Sequence, residues 1–197
     1  MKKYIYIMPF ALLMITSSVM IQHSKSIQDF TLKNAVDGEE FSLSSYRNAR
    51  AVVVIFTSNY CPYAKLYENR IQTLAEAYQD KGIKFILINP NNPERSQIEG
   101  IQKMAEKARA KSFEFPYLSD SEQKVADMFG AEKTPEAFLL KNEQGAFRVV
   151  YKGAIDDNPQ VASDVSQEYL KDAIDKVLQN RSVGDEDIRP TGCVIRR

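Results

Sequence analysis

The chain has 197 residues, 44% hydrophobic and 26% charged, the proportions of an ordinary globular protein with room for one domain and some additional sequence. Its 26 basic and 26 acidic side chains cancel. Setting aside Lys2, Lys3 and Lys25 leaves 23 against 26, so there is no basic excess to attract nucleic acid. The only histidine is His23, near the start, and the only cysteines are Cys61 and Cys193. Ser-His-Asp and Cys-His catalysis are therefore excluded from the globular region, and no ligand set for a structural zinc is present.

Lys2-Lys3 precedes a largely apolar stretch, residues 4–21, and this pattern reads as a secretory signal peptide or an uncleaved signal anchor over residues 1–26. The expectation is export across a bacterial inner membrane. The protein would be periplasmic or tethered to the outer face of that membrane, touching it only through the leader. Disulfides persist in such a compartment, which favours redox chemistry for two cysteines.

Residues 27–43 read as two short strands around the turn Asp37-Gly38. The β-branched run 51–57 predicts a buried strand, and residues 62–79 predict a helix with Leu66, Ile71, Leu74, Ala75 and Tyr78 on its inner face. A strand over 83–88 follows, then an Asn-Pro loop. Next comes a helix over 94–110 with Ile98, Ile101, Met104, Ala105 and Ala108 inward. Residues 116–120 read as a connector whose Ser119 or Asp120 caps a short helix ending at Phe129. Residues 136–140 and 148–151 predict a hairpin around 142–145, and residues 164–178 a last helix. The tail, 181–197, has little periodicity and reads as irregular, leaving one domain over 27–180. This order gives an α/β fold with a central mixed sheet flanked by helices on both faces, preceded by a β-hairpin extension. Right-handed crossovers place the end of the 51–57 strand at the carboxyl edge of the sheet, where sites commonly form.

Cys61 lies at that edge, at the start of the 62–79 helix. The free backbone N–H groups and dipole of a helix start favour a thiolate there. Pro62 suits the first helical position, and Lys65 one turn later adds positive charge. Thr57 and Ser58 bring hydroxyls that either hydrogen-bond the sulfur or cap the helix. The competing reading is a buried, inert cysteine. Glu68 and Arg70 read as solvent-facing charges, and Asp156-Asp157-Asn158 as a turn whose acids are too ordinary a cluster to support a cation site.

Several pieces together resemble the thioredoxin-like redoxins of the alkyl hydroperoxide reductase/thiol-specific antioxidant family. They are Asp29-Phe30-Thr31-Leu32 with Asp37-Gly38 and Ser42-Leu43-Ser44-Ser45-Tyr46, the strand running into Tyr60-Cys61-Pro62-Tyr63, and Thr134-Pro135 before a strand. The resemblance implies a thioredoxin-like fold with Pro135 cis beside Cys61. It also implies a partner-docking surface formed by Tyr60, Pro62, Tyr63, Thr134 and Pro135. Two departures stand out. Ala64 occupies the place of the second cysteine of Cys-x-x-Cys, and Val54 that of the proline in the peroxidase motif Pro-x-x-x-Thr/Ser-x-x-Cys, in which Ser58 fits the hydroxyl position.

The ending Gly192-Cys193-Val194-Ile195-Arg196-Arg197 is similar to a terminus of a group of these redoxins. Thirteen residues from Asn180 span roughly 40 Å against a radius of gyration of about 16 Å, so Cys193 can reach Cys61. Either Cys193 resolves a mixed disulfide on Cys61, or it is an unpaired thiol on a frayed end.

The resulting expectation is an exported thiol–disulfide oxidoreductase with Cys61 as nucleophile. Ser58 and Lys65 would support its thiolate, and Cys193 or an external thiol would complete the reaction. Its partners would be protein or small-molecule thiols and disulfides together with an external reductant, and no metal, flavin or nucleotide is called for. The alternatives are a thiol peroxidase reducing hydroperoxides, and a non-catalytic binding module that keeps the fold without turnover, the reading Ala64 favours.

Overall fold

The computed structural model describes residues 26–184 and 187–196, so the leader assigned above lies almost wholly outside the described residues. In chain order the strands are Ser26–Ile27 (β1), Thr31–Asn34 (β2), Glu40–Ser42 (β3), Ala51–Phe56 (β4), Ile83–Asn89 (β5), Tyr117–Ser119 (β6), Lys133–Thr134 (β7), Glu136–Glu143 (β8), Ala146–Gly153 (β9) and Cys193–Val194 (β10). The α-helices are Pro62–Tyr78 (α1), Ile101–Ala110 (α2), Lys124–Phe129 (α3) and Tyr169–Leu178 (α4).

Strand β4 explains most of the architecture. All six of its residues are fully buried, as a β-branched run covered on both faces should be. It runs parallel to β5 on one side and antiparallel to β8 on the other, in a sheet of order β1-β9-β8-β4-β5-β6-β2-β3. Its alternating side chains feed two cores. Val53 and Ile55 face Ile71 and Tyr67 of α1, Met104 of α2 and Ile174 of α4. Val52, Val54 and Phe56 face Val125 and Phe129 of α3, together with Phe30, just before β2, and Leu43, just after β3. Each such side chain removed from water contributes about 1.5–3 kcal/mol before entropy is counted, so this strand anchors both layers. The expected mixed sheet with helices on both faces is present, and the fold is thioredoxin-like.

Several expected boundaries are corrected. The connector 116–120 contains β6, which pairs with both β5 and β2; three residues are too few to show a period in the sequence. The helix expected over 94–110 begins only at Ile101, because Gly100 is extended (φ −69°, ψ 154°) and separates a 3₁₀ turn, Gln97–Glu99, from the helix. Ile98 is consequently 41% exposed rather than inward. The last helix begins at Tyr169; upstream, Ser166 N donates to Asp157 Oδ1, which holds that segment in a loop. In α1 the buried stripe runs through Ala64, Tyr67, Glu68, Ile71, Ala75 and Tyr78, and Leu66 lies outside it. The tail is not irregular throughout. Ile188 bridges Gly153, and β10 pairs antiparallel with β7. Asp120 does cap α3 from outside, its carboxylate accepting from the N–H groups of Val125 and Ala126.

Candidate functional site: a cysteine pair at a helix start

Four segments distant in sequence meet at the carboxyl end of β4: residues 57–61, 97–101, 132–136 and 192–195. Cys61 is the N-cap of α1, with Pro62 in the first turn, and it is 1% exposed. It is joined to Cys193 by a disulfide, with the two Cα atoms 6.0 Å apart. The backbone N–H groups of Tyr63 and Ala64, at the start of α1, precede the first bond of the helix, from Lys65 N to Cys61 O at 3.1 Å, and so have no acceptor within it.

The Thr134–Pro135 peptide is cis, and the Thr134 carbonyl oxygen lies 3.1 Å from Cys61 Sγ. Cys193 stands directly opposite Thr134 in the β10–β7 pair, with Val194 opposite Lys133. The tail is held beyond the disulfide as well. Ile195 N donates to Glu132 O at 2.8 Å, Gln123 Nε2 donates to Arg196 O at 2.8 Å, and the Ile195 side chain is buried in the core behind β4. Of the two readings of Cys193, the structure realises the paired one.

The expected residues divide by position. Thr134 is buried against the sulfur, Tyr63 is half-buried, and Pro62 and Tyr60 are exposed, Tyr60 at 68%. Lys65 is exposed on the first turn of α1 and lines an open groove with Lys103 and Lys107. Ser58 is buried, and its hydroxyl hydrogen goes to Glu99 Oε1 at 2.6 Å, while its oxygen accepts the Cys61 N–H at 3.0 Å. In this oxidised state Ser58 therefore holds the Cys61 backbone rather than the sulfur.

The sequence reading missed the group that organises this loop. Glu99, 3% exposed, accepts from Ser58 Oγ, from the N–H groups of Asn59 and Tyr60, and from Asn89 Nδ2 at the end of β5. A carboxylate is tolerated in such a place only when its oxygens are met by donors, and here four meet them. No signal for it stands in the sequence, since in a helix over 94–110 Glu99 would have Arg95 and Lys103 as i±4 partners and read as a surface charge. Asn59 is fixed in turn by Tyr117, whose hydroxyl donates to Asn59 Oδ1 at 2.9 Å. Burial first, then the carboxylates of Glu99 and Glu68, push the Tyr117 phenol well above its ordinary range, so it remains a donor. On the other side of the sulfur, buried Glu136 accepts from the N–H groups of Glu132 and Lys133 and shapes the approach to Thr134–Pro135.

Two further expectations are corrected. Glu68 is buried, paired with Lys107 of α2 at 2.5 Å and with Lys111 just past that helix at 3.1 Å, which cover that face of α1. Arg70 pairs with Asp156 at 2.7 Å, and Asp156 also accepts from the Tyr67 hydroxyl, so this buried acid closes the 155–160 loop onto α1. Among the described residues no group of three metal-ligating side chains gathers.

Residues 24–157 match the AhpC/TSA family. A solved structure of a hypothetical protein from Sinorhizobium meliloti 1021 is 33% identical and superposes with a TM-score of 0.80 over 89% of this chain and 94% of that one. The thiol-disulfide oxidoreductase ResA of Halalkalibacterium halodurans is 25% identical over 127 residues, 64% of this chain and 66% of that protein. The chain thus spans just under two thirds of that relative's length. A thiol-disulfide oxidoreductase of Bacteroides fragilis NCTC 9343, 16% identical, superposes with a TM-score of 0.53 over 65% of this chain and 89% of the other, a likeness of fold alone.

Proposed function

The chain belongs to the AhpC/TSA family, and we propose that within it this protein is an exported thiol–disulfide oxidoreductase in which Cys61 is the nucleophile and Cys193 the resolving thiol. The observation that carries this reading is the Cys61–Cys193 disulfide at the start of α1, in contact with Thr134. The match to the thiol-disulfide oxidoreductase ResA points the same way. Support for export comes from the sequence pattern of the first 21 residues and from the persistence of disulfides outside the cytosol.

In the proposed cycle the Cys61 thiolate attacks one sulfur of a partner disulfide. That bond breaks, one partner sulfur leaves as a thiolate, and the other stays joined to Cys61. The Cys193 thiolate then attacks the Cys61 sulfur, forming Cys61–Cys193 and releasing the second partner thiolate. Two electrons pass to the partner, the thiolates take protons from solvent, and an external thiol reductant returns the pair to its starting state. Run backwards, the same steps oxidise a partner dithiol. Tyr60, Pro62, Tyr63, Thr134 and Pro135 form the surface a partner meets, Ser58 fixes the Cys61 backbone, and Lys65 adds positive charge to the helix start. A hydroperoxide substrate has less support: Val54 is buried in mid-strand where the peroxidase motif has proline, and the Ser58 hydroxyl is committed to Glu99.

Reduction of insulin disulfides by dithiothreitol tests this. The full chain is expected to accelerate the reaction and Cys61→Ser to abolish the acceleration. A wild-type chain that consumes hydrogen peroxide rapidly but leaves insulin untouched would replace the reading with the peroxidase one.

A further inference from the structure

The tail reaches Cys61 as a strand laid antiparallel on the edge of β7, with Gly192 beside Pro135, Cys193 opposite Thr134 and Val194 opposite Lys133. Each position of that strand meets a different surrounding. A Cβ at Gly192 would collide with the Thr134 carbonyl oxygen, come within 2.8 Å of the Thr134 carbonyl carbon and within 3.2 Å of Pro135 N. These are backbone atoms of a buried segment, whose preceding residues Glu132 and Lys133 donate their N–H groups to the Glu136 carboxylate, and they cannot swing aside as a flexible side chain would. Val194 is 69% exposed and meets little. Ile195 is 3% exposed and enters the core behind β4. Any polypeptide whose cysteine is to lie against Cys61 Sγ in this register faces the same three conditions.

We propose that the β7 edge, part of the docking surface the family resemblance already implies, selects partner segments of the form Gly-Cys-x-apolar, and that the tail and the partner occupy it in turn. This rests on the thiol–disulfide reading and deepens it by naming the substrate class: extended segments with no side chain immediately before the reacting cysteine and an apolar one two places after it. The strand directs the chemistry because it sets the partner sulfur opposite Thr134, where Cys193 now stands. Resolution is then a strand exchange. The tail re-enters the β7 edge as the partner segment leaves, and the Cys193 thiolate displaces the partner sulfur from Cys61. Being tethered, the tail competes at high effective concentration, so a partner must match its pattern to enter at all.

The test uses the full chain carrying Cys193→Ser, reduced, with three synthetic peptides whose cysteine bears a 2-thiopyridyl disulfide. They read Arg-Pro-Thr-Gly-Cys-Val-Ile-Arg, the same with alanine for glycine, and the same with aspartate for isoleucine. The Cys61 thiolate attacks the peptide sulfur, the peptide–pyridyl bond breaks, and released pyridine-2-thione reports the rate. The glycine peptide is expected to react about tenfold or more faster than either variant, since an added methyl against fixed backbone and a charge in an apolar site each carry a penalty of that order. Di-2-pyridyl disulfide, which needs no strand, measures Cys61 reactivity alone. Equal rates for the three peptides, or no reaction with any of them while the small reagent reacts, would overturn the docking proposal and leave the oxidoreductase reading standing. A Cys61 inert to the small reagent as well would remove both.

Discussion

At the scale of single residues, reactivity depends on a few groups that hold Cys61 at the start of α1, and most of the holding is done by a carboxylate 38 positions away in sequence. Glu99 gathers Ser58 Oγ, two backbone N–H groups and Asn89 Nδ2, and Ser58 in turn receives the Cys61 N–H. Glu99→Ala removes the acceptor of Ser58 Oγ and of Asn59 N in a buried site, while Tyr60 N keeps Ser58 Oγ at 3.1 Å and Asn89 Nδ2 keeps the carbonyl oxygen of residue 99 at 3.4 Å. The expected loss is about 3 kcal/mol or more of stability, read as a lower urea midpoint, together with slower exchange at Cys61. Glu99→Gln keeps an acceptor oxygen and should lose less of both. An alanine variant as stable as the wild type would mean that the loop is held by other contacts. The place of Cys61 was legible from its strand-to-helix junction, and that of Thr134 and Pro135 beside it only through the family resemblance. Glu99 was not, since its role exists only once the 97–101 turn folds under the 57–61 loop. Glu68 and Arg70 were misread for the same reason: a helix surface reads as solvent-facing until another element covers it, and here α2 and the 155–160 loop do.

At the scale of elements, long periodic segments were legible and short ones were not. Strand β4, helix α1 and the β8–β9 hairpin lie within a few residues of their expected positions. A two-residue strand such as β10 has no period to detect, so the sequence of the tail reads as irregular. What fixes it is a set of distant contacts: the Gly153–Ile188 bridge, Lys133 Nζ to Pro190 O, and Ile195 in the core. Ile195 is the hydrophobic anchor that keeps Cys193 near its target. Ile195→Asp places a charge where about 1.5–3 kcal/mol of apolar burial had been. It should slow closure of the Cys61–Cys193 disulfide about tenfold or more, as followed by quenching aliquots of oxidising protein with a thiol-blocking reagent. Reaction of reduced Cys61 with a small disulfide should be little affected or faster, because the tail no longer covers it. Unchanged closure would show that the disulfide forms without strand docking.

At the scale of the whole molecule, a thioredoxin-like sheet brings one end of β4, the loop before β8 and the C-terminal tail into a single site, although its cysteines are 132 positions apart. The sheet was legible from the order of strands and helices, and the site from the position of Cys61 at its carboxyl edge. That the disulfide partner of Cys61 lies on a strand laid against Thr134, and not one turn along the helix where Ala64 stands, follows from three-dimensional closure. A bridge enclosing so long a loop contributes about 5 kcal/mol in the chain-entropy estimate, so oxidation state and stability are coupled through the whole fold. The claim on which everything here depends is the division of labour between the two sulfurs. It is tested most directly by treating reduced wild-type and Cys193→Ser proteins with one equivalent of a partner disulfide and mapping the non-reduced peptides by mass. The account predicts a Cys61–Cys193 linkage in the wild type and a partner adduct held on Cys61 in the variant. Adducts found on Cys193 of the wild type, with Cys61 unmodified in both proteins, would contradict it.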